Sequence, residues 1–272
     1  RMIAAFDFGI SNTDIAISNN EKIDFFNLKT QLPIEENNLL ELLDKIKISL
    51  KEIDCIGVSG GKTKDFPNEI DEIKIIKVPE VEAIGRGAKR IFEKKDSFLV
   101  MSLGTGTGCI FADKDNNFQY IGGIPVGGGT LIGLSKLLLN ETDIKNISKL
   151  ANAGDRSLVD FLIEDVVSGI DILKPNLSAS NFAKVSGGMH RKEDISKALT
   201  NMIGEIIGTV AFSNALIFQK EEICFTGRTF LEPNVKSAID ERLAIAGING
   251  IYSHSPGFEN CLGILDFIKE NY

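Results

Sequence analysis

Histidine and cysteine are scarce in this 272-residue chain: there are two histidines, His190 and His254, and four cysteines, Cys55, Cys109, Cys224 and Cys261. The cysteines stand singly inside apolar segments, which excludes a zinc-ligand pattern and reads as buried free thiols in a reducing compartment. With so little imidazole, a general base has to be sought among the carboxylates. No apolar run reaches membrane-spanning length, and nothing ahead of the first strand reads as a signal peptide, so the expectation is a cytoplasmic protein with no membrane partner. Positive charge is in deficit: 30 Lys and Arg against 38 Asp and Glu give a net charge of −8 and a pI near 5.0, which argues against a nucleic-acid partner. Low-complexity segments and short-period repeats are absent too. What remains is 43% hydrophobic residues, sufficient for one large or two modest cores.

Glycine, by contrast, is concentrated where it carries information. Gly127, Gly128 and Gly129 stand between the run YIGGIPV and the apolar stretch LIGLSKLLL. A helix whose first turn lacks side chains lets an anion reach its free N–H groups, and the helix dipole adds about half a positive charge there. A tight loop would use the same residues. A second cluster about twenty residues earlier, Ser102-Leu103-Gly104-Thr105-Gly106-Thr107-Gly108-Cys109, follows the apolar run FLVM and reads as strand, turn, strand. Its surplus of glycine and threonine over what a hairpin requires favours a phosphate ligand.

A third turn, at residues 9–13, joins two strands at the start of the chain, and Asp7 emerges near the end of the first. A carboxylate beside a Gly/Ser/Asn turn suits Mg²⁺ held through water, although an Asx turn would also explain it.

The remaining pattern alternates. It predicts an opening meander over residues 2–28 with a turn near Glu21 and Lys22, a helix over 35–50, strands over 55–59 and 73–78, and a helix over 80–93. A second meander over 98–121 leads to the helix after Gly129, helices dominate 143–219, and the longest covers 192–218. A strand at 223–226, a helix over 231–246, a strand near Ile251 and a closing helix complete two similar halves. The expected lobes are 1–113 and 114–272, with the ligand between them at the strand ends.

These residues carry a resemblance. The stretch GTGTGCIFADKDNNFQYIGGIPVGGGTLIGL, the Gly60-Gly61 turn, Gly154-Asp155-Arg156, LSASNFAKV, FTGRTF and SPGFENCLGIL are similar, in order and spacing, to the type II pantothenate kinases. The resemblance implies a two-lobed α/β fold of the actin-like ATPase (ribonuclease H-like) kind with mixed sheets. It also implies a nucleotide cleft between the lobes, ATP and Mg²⁺ as cofactors, pantothenate or a related alcohol as small-molecule substrate, and a homodimer. By family position Glu80 is the base that accepts the substrate proton, with Glu82 as an acidic neighbour. Asp7 serves the metal, and Gly9, Ser11, Asn12, Thr13, Gly104, Thr105, Gly106, Gly127, Gly128, Gly129, Thr130, Arg228 and Thr229 serve the nucleotide. Thr105, Tyr120 and Tyr252 border the substrate. As first-turn acids, Glu80 and Glu82 are also what any helix favours.

Two positions depart from the family pattern. Its opening loop, DxGGTxxK, ends on a phosphate-facing lysine where this chain has Asp14, so that Asp14 faces away, helps bind metal, or weakens nucleotide binding. Tyr120 stands where the family carries an arginine for the pantothenate carboxylate, and tyrosine offers one neutral hydrogen bond in place of a charged fork. Three functions therefore stay open on the sequence: a pantothenate-type kinase, an acceptor-free ATPase, and a catalytically silent nucleotide-binding relative.

Overall fold

A computed structural model of the chain describes residues 2–19, 22–35, 37–168, 174–186 and 189–272. The chain begins with the meander β1 (Ile3–Phe8), β2 (Asn12–Ser18) and β3 (Ile23–Lys29), followed by α1 (Asn37–Lys45), β4 (Cys55–Ser59), β5 (Glu69–Ile70), β6 (Ile73–Lys77) and α2 (Glu80–Ile91). A second meander, β7 (Phe98–Leu103), β8 (Thr107–Ala112) and β9 (Phe118–Ile124), leads to α3 (Gly128–Leu139) and α4 (Ile144–Asn152). Next come β10 (Phe161–Leu162), α5 (Ile163–Val166), β11 (Ser178–Ser180) and α6 (Lys192–Ile217). The chain closes with β12 (Glu222–Gly227), α7 (Pro233–Ile245), β13 (Asn249–Tyr252) and α8 (Glu259–Asn271).

The two meanders build two mixed sheets on one plan. The first runs β3-β2-β1-β4-β6-β5, and the second β13-β12-β7-β8-β9. In each, the opening strand pairs antiparallel with its hairpin partner and parallel with the strand that returns after a helix, β1 with β4 and β7 with β12. The alternating and continuous apolar runs made this legible, because β1 and β4 are covered on both faces and are apolar almost throughout. One face of the first sheet packs on α1 through Phe6, Ile15, Leu39 and Ile56, and the other packs on α8 through Ala5, Ala16, Ile264 and Leu265.

Some boundaries differ from expectation. Helix α1 stops at Lys45 because Lys47 turns left-handed (φ 59°) and Ile48 N–H closes back on the Leu43 carbonyl at 3.0 Å, a Schellman-type end. The region expected to be dominated by helices also contains the small β10–β11 ladder, which Arg156 ties down by donating to Ser178 Oγ at 2.8 Å. The turn expected near Glu21 lies outside the described residues.

By contacts the chain forms two compact units. The first holds Arg1–Gly122, Cys224–Gly227 and Tyr252–Tyr272, and the second Gly123–Ile223 and Arg228–Ile251, a division unlike the simple break at 113 because the chain returns to the first unit with α8. There α8 crosses α2 with backbones in contact: a Cβ on Gly263 would overlap the Ala83 carbonyl, and one on Gly87 would overlap the Glu259 carbonyl. Gly263→Ala should therefore push the helices apart and cost about 1–3 kcal/mol. That would lower Tm by several degrees at about 2–4 °C per kcal/mol; an unchanged melting curve would refute the close crossing.

In the second unit α6 is the central helix. It packs on α7, α4 and α3 and buries Leu199, Ile203, Ile207 and Ala211. This packing explains its apolar length, so a partner surface is not needed to account for it. No helix among the described residues is long and apolar enough to cross a membrane.

Candidate active site

In the first unit the site grows from the ends of the strands. The β1–β2 turn is held by three contacts. Gly9 N–H donates to the Asp7 carbonyl (3.2 Å), Thr30 Oγ1 donates to the Gly9 carbonyl (2.7 Å), and Thr30 N–H donates to the Ser11 carbonyl (3.2 Å). Thr13 is buried beneath this turn with its hydroxyl 3.0 Å from that of Thr30, so it supports the loop from within. Ser11 points outward and meets Thr105 of the β7–β8 turn, hydroxyl to hydroxyl at 3.0 Å, across 94 residues of sequence. Gly104 N–H bonds the Gly106 carbonyl at 2.9 Å and tightens that second turn. Two hydroxyl-bearing glycine turns thus share one surface, with Asn12 half-buried at the start of β2.

Asp7 lies behind them, partly buried, with Oδ2 accepting 2.9 Å from Asn260 Nδ2 at the start of α8. Its pKa is pushed up from the ordinary 3.8 to about 7. Burial is the main cause, opposed by the Asn260 bond and reinforced by the charges of Asp14, Glu80 and Glu259. Gly60 (φ +79°) crosses close by, since a Cβ there would stand 2.6 Å from the Phe8 carbonyl and 3.2 Å from Asp7 Oδ1. Glu259 is buried and accepts from Gly257 N–H (2.7 Å) and Gly227 N–H (3.2 Å), while burial pushes its carboxyl above the usual range. Glu80 opens α2, solvent-exposed and within electrostatic range of Asp7. Glu82 is engaged otherwise, accepting from Arg86 Nε at 2.7 Å.

The second unit carries the remaining candidates. Gly127 caps α3, whose first turn is Gly128, Gly129 and Thr130; Thr130 Oγ1 accepts from Gly127 N–H (3.1 Å) and donates to the Pro125 carbonyl (3.3 Å). The glycine run therefore starts a helix as expected, with its first N–H groups left for an anion. Arg228 and the buried Thr229 follow β12 on a short 3₁₀ turn. A polar cavity of about 310 Å³ opens in the same unit, bordered by Asp155, Arg156, Asn176, Lys197, Asn201 and Asn234.

The first unit thus carries two glycine-hydroxyl turns, a partly buried aspartate and an exposed first-turn glutamate. A family model described as Fumble matches residues 92–240, more than half of the chain. A type II pantothenate kinase of Bacillus anthracis is 32% identical over 225 residues, covering 76% of this chain and 79% of the relative. The chain belongs to the type II pantothenate kinase family. A plant family member, pantothenate kinase 2 of Arabidopsis thaliana, is 35% identical over 139 residues, 48% of this chain and 15% of that protein.

Solved structures agree on the actin-like fold of this pantothenate kinase family member. The activator of 2-hydroxyisocaproyl-CoA dehydratase from Clostridium difficile with bound ADPNP superposes with a TM-score of 0.64 at 13% identity, covering 100% of this chain and 98% of that one. A ROK family glucokinase from Streptomyces griseus in complex with glucose and AMPPNP gives 0.63 at 14% identity, with both chains covered completely.

The two departures from the family pattern have distinct settings. Asp14 pairs in register with Asp7, so both project from the same sheet face, and Asp14 Oδ1 accepts from Asn27 Nδ2 at 2.7 Å. It does not turn away from Asp7, and its charge helps to raise Asp7's pKa. Tyr120 is 57% exposed on β9, with its ring edge over Gly108. Tyr252 stacks on Phe225, with ring centroids 5.0 Å apart, so packing accounts for its placement. Sequence reasoning passed over Asn260 and Glu259. Their only signal was the SPGFENCLGIL match, which did not show what they touch.

The residues present fit a hydrated Mg²⁺. Burial and three neighbouring carboxylates leave Asp7 with uncompensated negative charge, and Ser59, its neighbour across the β1–β4 pair, keeps a buried hydroxyl without a partner among the described residues. No group of three or more His, Cys, Asp or Glu among the described residues is placed to hold a metal alone. A cation at Asp7 would draw its other ligands from water and phosphate oxygens, as Mg²⁺ commonly does.

Proposed function

We propose that this chain transfers the γ-phosphoryl group of ATP to the hydroxyl of pantothenate, giving 4′-phosphopantothenate at the entry to coenzyme A biosynthesis. The observation that carries this reading is Glu80, an exposed carboxylate on the first residue of α2, in the same unit as Asp7 and close enough for its charge to act there. Glu80 accepts the hydroxyl proton as the oxygen attacks, the attacking and leaving oxygens lie in line, and no covalent enzyme intermediate is required. Mg²⁺, held through Asp7 and the phosphates, would neutralise charge on the transferring group. In the first unit Ser11 and Thr105 serve phosphate oxygens; in the second the first-turn N–H groups of Gly128 and Gly129 do so, Gly127 N–H being held by Thr130, with Arg228 and Thr229 on the nucleotide side. The cavity in the second unit is lined by amides, by Arg156 and Lys197 and by the carboxylates of Asp155 and Glu241, a mix of donors and acceptors that suits a nucleotide base.

A homodimer and a cytoplasmic location belong to the same proposal, the dimer being supported by the exposed apolar side chains of Leu137, Leu216 and Ile217. Tyr120 favours one variation, a pantothenate-like alcohol without the carboxylate. ADP release from MgATP, measured with no acceptor, with pantothenate and with pantetheine, tests these readings. Turnover that requires pantothenate is expected. Turnover only with pantetheine would transfer the assignment to the amide relative, and equal turnover without acceptor would refute the kinase.

A further inference from the structure

We infer that Ser59 is a positioning residue for the hydrated cation at Asp7, its hydroxyl accepting a hydrogen bond from a metal-bound water. The inference rests on the kinase reading. Ser59 ends β4 and is fully buried, yet its Oγ has no hydrogen-bond partner among the described residues. Buried hydroxyls are normally satisfied, and one left alone is a standing cost to the fold that alanine would remove. A position kept purely for packing has no use for that oxygen.

Its surroundings supply the use. The parallel β1–β4 register sets Ser59 beside Asp7, and residues paired in register show their side chains on the same face. That face is the one turned to α8, because Gly57, two residues earlier, lies against Ile264 and Ile268. The first turn of α8 brings Asn260 onto Asp7 Oδ2, while Asp7 Oδ1 lies toward the Gly60 end of β4. A carboxylate oxygen near the Gly60 end of β4 and an unsatisfied hydroxyl on the last residue of β4 thus lie on one face at one strand end, without bonding each other. A metal-bound water, a strong donor with two hydrogens, fits this pair of acceptors.

An orphan hydroxyl recurs in the second sheet, where the residue in register with it is Ser102. Thr226 is buried near the end of β12, its Oγ1 lacks a partner among the described residues, and Gly227 (φ +86°) follows it as Gly60 (φ +79°) follows Ser59. Each of these glycines crosses the last residue of the opening strand of its sheet, Phe8 or Leu103. An orphan hydroxyl at the same point of both repeats is a built feature of this strand end.

The test compares wild type with Ser59→Ala and Ser59→Thr, reading thermal denaturation of the ligand-free protein and Mn²⁺ affinity of the ADP complex by electron paramagnetic resonance. Ser59→Ala is expected to melt at or above the wild-type temperature and to bind Mn²⁺ about 5–10-fold more weakly, the effect of one hydrogen bond. Ser59→Thr, which keeps a hydroxyl, is expected to recover affinity to within about twofold. Wild-type Mn²⁺ affinity in Ser59→Ala overturns the inference and leaves the kinase standing, whereas a wild-type protein that binds no Mn²⁺ with ADP overturns both. A marked fall in Tm with affinity intact assigns the hydroxyl to folding and also overturns it. Should the alanine protein not fold, Ser59→Cys, of similar size and with a poor acceptor, is read by the same criteria.

Discussion

Glu80→Gln should lower pantothenate-dependent turnover by about 10²–10⁴-fold, the usual range for removing a general base, and leave the KM for ATP nearly unchanged. The substitution keeps shape and hydrogen-bonding capacity and removes only the ability to take a proton. The loose transition state of phosphoryl transfer, in which little bonding to the nucleophile has formed, points to the lower part of that range. Glu82→Gln is the internal comparison: Glu82 is already committed to Arg86 at 2.7 Å, so its loss should cost far less turnover. A Glu80→Gln protein that keeps more than about a tenth of wild-type turnover would show that the hydroxyl proton leaves by another route.

Asp7→Asn should abolish Mg²⁺-dependent activity and at the same time stabilise the ligand-free protein above neutral pH. Asp7 titrates near 3.8 when unfolded and near 7 when folded, so the folded state binds the proton more tightly. Stability is therefore highest below pH about 4, where both states are protonated, falls as pH rises between the two values, and reaches its full deficit above about 7. The whole shift would be worth about 4 kcal/mol at 1.36 kcal/mol per unit, and the partial exposure of Asp7 reduces this to roughly 2 kcal/mol. Asparagine carries no charge and can still accept from Asn260. Its Tm should exceed wild type by about 5 °C at pH 8 and by almost nothing at pH 4, given about 2–4 °C per kcal/mol. Saturating MgADP should narrow the gap at pH 8, because a cation beside Asp7 removes the repulsion that depresses the wild type. A Tm difference that stays constant from pH 4 to pH 8 would count against the electrostatic account of this site.

The contrast between Thr13 and Ser11 shows how far a turn sequence can be read. Both belong to one Gly/Ser/Asn/Thr turn, yet Ser11 faces outward to Thr105 while Thr13 lies inward against Thr30. Alternation along β2 separates the faces but does not say which one meets phosphate, since that depends on what covers each side of the sheet. The ring stack of Tyr252 on Phe225 is similar: an aromatic in the right place in the chain is held there by a core contact. Asn260 was beyond reach altogether, because it meets Asp7 across 253 residues, and an asparagine at the start of a helix looks the same in sequence whatever it touches.

By itself, the sequence determined the two repeated meanders, the helix-opening glycines of α3, the first-turn position of Glu80 and the scarcity of bases other than carboxylates. All of these follow from local periodicity, backbone freedom and composition, which short stretches of chain carry. Only the tertiary structure decided that Asp7, Asp14 and Ser59 share a sheet face, that α8 returns to put Asn260 on Asp7, and that the turns bearing Ser11 and Thr105 touch. These depend on strand register and on which helix covers a face, and both are set by packing between segments far apart in the chain.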